Sequence, residues 1–270
     1  MSEFVLTADN YYSPEADKRF MSVHQYLDFV GHMGVYGCEA RAMAKLNGEW
    51  KDKITKAMLV GSFVDSYFEG SLDSFLKENQ DCFLKTKPSE LKAEYRKARI
   101  MIERCKQDEL FMKYMSGEKQ TIMTGYLFGC EWKIKIDSYI PGMAIVDLKT
   151  ANNIHRSWKV QDYGNVCFVE YWAYILQLAV YQRIVELNTG KLLPCYLAVV
   201  TKDEYPEIEI VYIDQQSLDH ALHEIEMNMQ SVLLVKYGEV DAIRCEKCDY
   251  CKSTKKIEKP IHYMDLINEQ

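Results

Sequence analysis

The stretch AIVDLKTA, residues 144–151, decides the predicted fold because it reads as a buried strand that carries two charges. Its aliphatic residues are typical of a strand in the interior of a sheet. Asp147 and Lys149 interrupt that pattern, and residues two apart on a strand point to the same face, roughly 6–7 Å apart. Because an unpaired buried charge is costly, this acid and this base need partners on neighbouring elements.

The hairpin that contains this strand predicts the length of the turn before it. The preceding stretch EWKIKIDSY (131–139) alternates apolar residues with charged ones. A two-residue turn at 141–142 would mix the apolar and charged faces of the two strands, whereas strand register normally keeps such faces separate. We therefore predict a turn of three residues, 141–143, or a bulge with the same effect.

The predicted register collects charged residues on one face of the hairpin. Asp137 would lie opposite Asp147, and Lys135 would lie opposite Lys149. The other face would carry the apolar positions, which are Ile134, Ile136, Val146 and Leu148.

The carboxylates and lysines of the charged face are suited to metal-dependent chemistry. Two close carboxylates repel each other unless a proton or a cation lies between them. Mg²⁺ is bound by oxygen ligands, generally a few carboxylates together with water. A lysine beside such a cation can activate an attacking water or stabilise charge on a phosphate, as phosphodiester hydrolysis requires. On a solvated face the same residues would form ordinary cross-strand ion pairs, and the hairpin alone leaves both interpretations open.

The composition is that of an ordinary globular protein. The chain has 270 residues, of which 48% are hydrophobic and 27% charged, enough for one large domain or two small ones. The formal net charge of −7 argues against a uniformly basic nucleic-acid binder. A local basic groove and acidic metal ligands remain compatible with it.

The chain shows no pattern of a signal peptide or a membrane span. Its first residues, MSEFVLTADNYY, are too polar, and the apolar run 166–185 is interrupted by Glu170, Gln177 and Arg183. Nine cysteines without an export signal indicate a reducing compartment, where cysteines are buried, metal-binding or reactive. We expect a cytoplasmic protein without a membrane partner.

Helical and strand periodicities occur in blocks along the chain. Helices are predicted near 21–48, with an interruption near the glycines at 31, 34 and 37, and near 54–69, 91–114, 168–187 and 217–237. Strands are predicted three times between 120 and 150, and then at 194–202 and 207–213. The simplest fold is a single α/β domain, 1–270, with one mixed central sheet flanked by helices and a cysteine-containing tail, 238–270, packed on it.

Five stretches in a characteristic order resemble a known family and span roughly residues 10–260. They are CEARAMAKLNGEW (38–50), MLVGSFVDSYFEG (58–70), TGYLFGCEWKIKIDSYIPGMAIVDLKT (124–150), EYWAYILQLAVYQ (170–182) and CEKCDYCKSTK (245–255). The chain resembles the PD-(D/E)XK nuclease superfamily, in its RecB-type branch, and there the phage-encoded RecE-like (exodeoxyribonuclease VIII-like) exonucleases. The resemblance implies a restriction-endonuclease-like fold.

The resemblance also implies an activity and its partners. It implies a Mg²⁺- or Mn²⁺-dependent exodeoxyribonuclease that resects duplex DNA from its ends for phage recombination, with a single-strand annealing protein as partner. Related resecting exonucleases form rings, so a homo-oligomer in the cytoplasm of a bacterial host is expected. Two alternatives remain open: a structure-specific or single-strand DNA nuclease on the same scaffold, and a non-catalytic DNA-binding module.

The family motif assigns roles to residues at matching positions. Asp137 and Asp147 match its metal-binding acids, and Lys149 matches its catalytic lysine. The carbonyl of Leu148 is a further metal ligand by the same resemblance. The RecB-type pattern often has a histidine ligand in a Gly-x-x-x-His motif, where this chain has Asp65, and aspartate is an equally suitable ligand for a hard cation.

A polar stripe follows the predicted helix after the hairpin. Glu170, Tyr174, Gln177 and Tyr181 step by four, three and four residues and would share one helix face. The family motif places glutamine and tyrosine, matching Gln177 and Tyr181, beside the catalytic lysine and the DNA. A polar network between helices is the alternative.

Two basic stretches are candidates for contacts with DNA phosphates. They contain Lys53 and Lys56 in the first, and Arg156 and Lys159 in the second. Basic side chains supply the sequence-independent part of DNA affinity, and Trp158 between the last two could stack on a base. Either stretch could equally be a solvated surface.

The tail contains a C-x2-C-x2-C motif, a spacing typical of metal ligands. Its members are Cys245, Cys248 and Cys251. Resemblance to cluster-bearing nucleases of the AddB and CRISPR-adaptation types implies Cys38 as a fourth ligand and a [4Fe–4S] cluster. A zinc site completed by His262, and reduced cysteines without metal, are the alternatives.

Overall fold

The computed structural model describes residues 4–33, 35–257 and 259–266. Its strands are β1 (Gly31–His32), β2 (Val35–Tyr36), β3 (Phe83–Leu84), β4 (Lys87–Leu91), β5 (Glu118–Leu127), β6 (Cys130–Ile140), β7 (Ala144–Ala151), β8 (Trp158–Val160), β9 (Gly164–Val166), β10 (Cys195–Thr201) and β11 (Ile208–Ile213). Its α-helices are α1 (Pro14–Arg19), α2 (Val23–Val30), α3 (Glu39–Leu46), α4 (Lys56–Glu69), α5 (Leu72–Glu78), α6 (Ala93–Lys106), α7 (Glu109–Tyr114), α8 (Phe168–Tyr171), α9 (Tyr174–Thr189), α10 (Gln215–Lys236) and α11 (Asp249–Ser253). Short 3₁₀ helices lie at Gln80–Cys82 and Tyr263–Leu266. None of the helices in these ranges is long and apolar enough to cross a membrane.

Five strands form one mixed sheet in the order β11–β10–β7–β6–β5. β10 runs parallel to β7, and the other neighbouring pairs are antiparallel. A parallel pair requires a crossover connection, which the segment with α8 and α9 supplies between β7 and β10. This mixed central sheet flanked by helices confirms the predicted restriction-endonuclease-like α/β fold class.

Two hydrophobic clusters cover the two faces of the sheet. The first cluster packs α2, α9 and α10 on one face, and the second packs α4, α6 and α7 on the other. In β10, Leu197 and Val199 belong to the first cluster, whereas Ala198 and Val200 belong to the second. Because both faces of the central strands are covered, these strands are apolar at almost every position.

The turn between β6 and β7 has the predicted odd length. Ile140 pairs with Ala144, so residues 141–143 form the turn. Gly142 has a φ of 71° there, a left-handed conformation that glycine adopts without steric cost. The prediction of a three-residue turn is confirmed.

The ladder between β6 and β7 ends at the Ser138–Val146 pair, after which the two strands diverge. Lys135 therefore does not lie opposite Lys149, and that part of the predicted register is wrong. The Lys135 ammonium instead lies 4.7 Å from the centre of the Tyr12 ring. The pairing was extrapolated from a local pattern, but the separation of the strands depends on the twist of the whole sheet.

The predicted common apolar face is also wrong. Ile134 and Ile136 belong to the first cluster, whereas Val146 and Leu148 belong to the second, on the other side of the sheet. Ile136 and Tyr139, three residues apart, both lie in the first cluster, although simple alternation would separate them. The alternation of side chains along β6 is therefore interrupted between these two positions. Such irregularities are common in strands beside functional sites.

Two predicted helices are each divided. The stretch 91–114 forms α6 and α7, and the Asp108 side chain begins α7 by accepting the Phe111 N–H at 2.8 Å. The stretch 168–187 forms α8 and α9, separated by Ala173 with a φ of 57°. Apolar residues continue across the break at Ala173, so periodicity does not reveal it, whereas the break at 107–108 lies in a polar stretch between apolar positions that keep a helical spacing.

Candidate active site

The candidate site lies in the gap where β6 and β7 separate. Asp137 of β6 accepts the backbone N–H of Leu148 through Oδ2 at 2.8 Å. The N–H and C=O of one strand residue point to the same side, so the Leu148 carbonyl faces the same gap. A carboxylate and a backbone carbonyl therefore meet where the strand ladder has ended.

Asp147 is buried at this gap, with 2% of its surface exposed. Its Oδ1 accepts a hydrogen bond from Gln177 Nε2 at 2.7 Å, and its Oδ2 lies 2.5 Å from Lys149 Nζ. Within the described residues, Oδ2 has this ion pair but no well-oriented hydrogen-bond donor. It is therefore a buried acceptor with remaining capacity for a positively charged ligand.

Helix α4 brings a third carboxylate to the gap. Asp65 lines a small cavity together with Asp137, Leu148, Glu69 and Gln120. Glu69 follows Asp65 by one helical turn, so both point to the same side of α4. Phe68 and Met115 complete the lining, so carboxylate and amide oxygens share the cavity wall with apolar side chains.

The packing of α4 depends on Gly61. A Cβ atom at this position would lie 3.3 Å from Thr150 Oγ1 of β7, tighter than ordinary van der Waals contact. The missing side chain lets the helix approach the strand closely. Asp65, one turn later, then reaches the gap, which gives the Gly-x-x-x-Asp spacing a physical reason.

Burial and mutual repulsion perturb the ionisation of these groups. The pKa of Asp137 is raised to about 7, first by burial and then by the charge of Asp147. Burial and the nearby Asp137 raise the pKa of Asp65 well above its ordinary value. Burial opposes the charge of Lys149, but its acidic neighbours, Asp147 foremost, raise its pKa overall. The site thus needs a proton or a cation to neutralise its acids, while Lys149 stays an ammonium group.

The donor set fits a hard divalent cation. Asp65, Asp137 and Asp147 supply carboxylates, and Leu148 supplies a carbonyl. The buried Oε1 of Gln120 also lacks a hydrogen-bond donor among the described residues. Mg²⁺ and Mn²⁺ prefer oxygen donors, so the chemistry of these residues suits either ion. Among the described residues, the atoms that already lie at mutual ligand distances are the four cysteine sulfurs described below.

Helix α9 supplies the polar side chains next to Lys149. Gln177 is bonded to Asp147, and the Tyr174 ring centre lies 4.7 Å from Lys149 Nζ. Tyr181 is only 8% exposed and belongs to the first cluster. It therefore lies largely in the interior, one helical turn after Gln177 on α9.

Glu170 does not share the polar stripe, which corrects the predicted face. It belongs to α8, before the change in chain direction at Ala173. Its Oε2 accepts the Cys167 N–H at 2.8 Å and closes a capping box. Glu170 is therefore a helix-capping residue.

The predicted phosphate contacts lie at two places on the surface. Lys53 and Lys56 are exposed before and at the start of α4. Arg156 and Lys159 are exposed around β8, and the Arg156 guanidinium lies 5.0 Å from the Trp158 ring centre. Trp158 is already stacked on an aromatic ring of α8 at 4.8 Å, so one of its ring faces is covered.

A basic groove lies beside α4, and no sequence motif predicted it as a whole. Lys56, Lys97 and Lys202 line it, together with Glu94 and apolar side chains. Lys202 directly follows β10, and burial lowers its pKa while the negative charge of Asp65 opposes that shift. In the sequence, Lys202 is marked only by its position at the end of the predicted strand 194–202, where functional residues often lie.

Two further residues reach the site through tertiary packing. Gln120, which has a φ of 51°, donates from Nε2 to Asp137 Oδ1 at 3.1 Å. His24 of α2 lies near Lys149, and its pKa is lowered first by burial and then by the positive charge of Lys149. Neither residue belongs to a recognisable local pattern.

Comparisons with known proteins agree with this architecture. Residues 22–254 match a family model described as "PDDEXK-like domain of unknown function (DUF3799)". The crystal structure of a protein from Eubacterium rectale, described as a "Putative exonuclease", is 53% identical, covers 98% of each chain and has a TM-score of 0.95. A second solved structure, SSO0001, is 12% identical, covers 82% of this chain and 95% of its own, and has a TM-score of 0.30, too low to bear on the fold. No curated protein matches the chain.

Proposed function

Because the chain belongs to the PDDEXK-like family whose model spans residues 22–254, we propose that it is a Mg²⁺- or Mn²⁺-dependent DNA exonuclease. It would hydrolyse phosphodiester bonds from the ends of duplex DNA. The observation that carries the proposal is the convergence of Asp65, Asp137, Asp147 and Lys149 on the gap between β6 and β7. The relative described as a "Putative exonuclease", 53% identical over nearly the whole chain, supports the exonuclease activity.

Each residue of the gap has a separate chemical role. Asp65, Asp137, Asp147 and the Leu148 carbonyl would hold the cation, which supplies neutralisation of charge on the phosphate and on its attacking group. Lys149 remains protonated, so it orients the attacking water and stabilises developing negative charge rather than accepting a proton.

Gln177 is a positioning residue. Its amide occupies Asp147 Oδ1, which fixes the carboxylate and leaves Oδ2 turned toward Lys149. Groups that orient a metal-binding carboxylate in this way preserve its geometry and basicity.

The surface lysines and arginine would bind the DNA backbone. The groove with Lys56 and Lys202 lies beside α4, close to Asp65. Lys53 extends this basic surface, and Arg156 and Lys159 form a second one at β8. Such contacts make binding independent of sequence and sensitive to salt.

The biological setting follows from the resemblance to RecE-like exonucleases. In that setting the protein resects duplex ends for phage recombination and passes the single strand to an annealing protein. It would act as a homo-oligomer in the cytoplasm of a bacterial host.

The test is digestion of linear, nicked and closed circular duplex DNA with Mg²⁺. The variants are Lys149→Ala and, as a matched control, Lys77→Ala at an exposed position of α5. We expect wild type and control to degrade linear DNA equally and to leave closed circles intact. Lys149→Ala should be slower by about 10²- to 10³-fold, because it removes a donor aimed at the reacting group.

Three outcomes would contradict parts of this proposal. Equal rates for wild type and Lys149→Ala would exclude the proposed mechanism. Cutting of closed circles would exclude an obligate exonuclease and favour a structure-specific nuclease. Binding of DNA without any digestion would favour a non-catalytic module.

A further inference from the structure

Four cysteine sulfurs converge at a place that the acidic site does not use. Cys38 begins α3, and it meets Cys245, Cys248 and Cys251 of the tail. Their four Sγ atoms lie within 4.8 Å of one another, although Cys38 and Cys251 are 213 positions apart. Cys38 and Cys251 are both buried.

The spacing of the sulfurs does not fit the iron–sulfur cluster that the resemblance implied. Thiolates that hold a [4Fe–4S] cluster stand about 6 Å apart, because a cube of iron and sulfide separates them. The separations here do not exceed 4.8 Å. The cage is therefore too small for four irons.

The same spacing fits a single tetrahedral ion. Metal–sulfur bonds of about 2.3 Å place the ligands of a tetrahedral ion about 3.8 Å apart. Cys38 Sγ lies 3.5 Å from Cys251 Sγ, and Cys245 Sγ lies 3.9 Å from Cys251 Sγ. Both distances are far longer than the bond of about 2.05 Å in a disulfide.

Backbone N–H groups are directed at three of the sulfurs. Cys245 Sγ accepts from Lys247 N at 3.4 Å and from Cys248 N at 3.3 Å. Cys251 N donates to Cys248 Sγ at 3.5 Å, and a backbone N–H in the first turn of α3 donates to Cys38 Sγ at 3.4 Å. Such donors orient thiolate ligands and offset their negative charge, as a metal site requires.

We propose that Cys38, Cys245, Cys248 and Cys251 bind one Zn²⁺ in a structural site that fastens the tail to α3. A tetrahedral set of four sulfurs is typical of zinc. Because protein ligands fill all four positions, no position is left for water or substrate. His262 is not needed as a ligand; it is exposed, and its Nδ1 accepts the Met264 N–H at 3.3 Å.

Apart from the sulfurs, the described part of the tail contacts α3 and its flanks through backbone and polar groups and through an edge-to-face pair of Trp50 and Tyr250, with ring centres 5.5 Å apart. The Ile243 carbonyl accepts the Ala40 N–H at 3.1 Å, and Ile243 N donates to Glu39 Oε2 at 2.8 Å. Arg244 Nη2 donates to the Cys251 carbonyl at 2.6 Å and so closes the tail on itself. Loss of the metal should therefore release the tail while the central sheet remains folded.

The experiment measures zinc, iron and acid-labile sulfide in full-length protein purified without oxygen. We expect about one zinc per chain, the stoichiometry of a closed four-cysteine site, without iron or sulfide. The zinc content of Cys248→Ser should be more than tenfold lower than that of wild type. Trypsin should then cleave the released tail at Lys247 or Lys252. Titration of the wild type with a thiol-reactive mercurial should release the zinc, which tests the site even if the variant does not fold.

Two matched variants locate the metal. Cys167→Ser changes an exposed cysteine outside the cluster, and Asp137→Asn changes the acidic gap. Both should retain zinc. Iron with equimolar sulfide, zinc-free protein from zinc-supplemented cells, or zinc retained by Cys248→Ser would each overturn the inference.

Discussion

At the scale of the residue, Asp147 shows how a charge can be stable within a hydrophobic strand. One of its oxygens is bonded to Gln177, and the other is paired with Lys149. Both partners lie on the α9 face of the sheet, where β7 no longer pairs with β6. The burial that makes the acid costly also strengthens each of these interactions, because the local dielectric is low.

The glutamine that holds Asp147 provides a residue-scale prediction. Gln177→Met keeps the size of the side chain but leaves Asp147 Oδ1 without its donor. We expect nuclease activity to fall about 10- to 100-fold, as is typical when a group that orients a metal ligand is lost. The measurement is the rate of digestion of linear duplex DNA at saturating Mg²⁺.

The control for this change is Gln182→Met on the same helix. Gln182 is also buried, and its Nε2 donates to the Leu193 carbonyl at 2.8 Å, away from the site. Both variants should lose about 1–3 kcal/mol of stability through an unpaired buried group. If both lost activity to the same degree, the positioning role of Gln177 would be wrong.

At the scale of the element, the site depends on how two helices meet β7. Helix α4 approaches the strand at Gly61 and so presents Asp65 to the gap. Helix α9 begins directly after the left-handed residue Ala173, which places Tyr174 beside Lys149. A left-handed conformation is strained for a residue with a Cβ, and such strain is typical near functional sites.

The packing of α4 gives an element-scale prediction. Gly61→Leu should push α4 away from β7 at Thr150 and displace Asp65, while the helix itself gains intrinsic propensity. We expect the Mg²⁺ concentration for half-maximal activity to rise several-fold with little loss of thermal stability. The control is Ser62→Leu at the next, exposed position of α4. If Gly61→Leu needed no more Mg²⁺ than wild type, the proposed role of Asp65 as a metal ligand would be wrong.

At the scale of the whole molecule, contacts distant in sequence join both ends of the chain to the sheet. Lys236, at the end of α10, donates to Gln25 Oε1 at 2.7 Å and to the Phe20 carbonyl at 3.1 Å. Lys133 of β6 pairs with Asp17 at 2.7 Å. The cysteine cluster joins the tail to α3 in the same manner. We therefore expect the described elements from α1 to α10 to unfold as one cooperative domain.

The acidic gap makes the stability of the molecule depend on pH. Folding raises the pKa of Asp137 from 3.8 to about 7, so the folded state binds a proton that the unfolded state has lost. The contribution of this group to stability is therefore complete below pH 4 and is lost as pH rises through 7. Asp137→Asn, which is neutral throughout, should exceed wild type in Tm by an amount that grows with pH over this range.

The measurement is thermal unfolding of both proteins from pH 4.5 to 7.5, without Mg²⁺ and then with it. Mg²⁺ should raise the Tm of wild type more at high pH, because its ligands must be deprotonated to bind it. The Asp137→Asn variant should respond much less. A Tm difference between the two proteins that is constant with pH would show that Asp137 ionises normally.

Local patterns were sufficient for much of the fold and for the centre of the site. The alternation in 131–139 and 144–151 predicted the three-residue turn, because strand faces and turn length are properties of neighbouring residues. That turn brings Asp137 and Asp147 to the end of the ladder, each next to a residue of the last pair, Ser138 and Val146. The order of helices and strands likewise predicted one mixed sheet.

Only the packing of distant segments decided the remaining features. The failure of Lys135 to meet Lys149, and the assignment of Ile136 to the other cluster, follow from sheet twist and strand divergence. Gln120, His24 and Lys202 reach the site through elements far from the hairpin in sequence. Spacing in the chain could group the cysteines, but only distances between their sulfurs distinguish one tetrahedral ion from a cluster of four irons, because a ligand cage is a property of three-dimensional geometry.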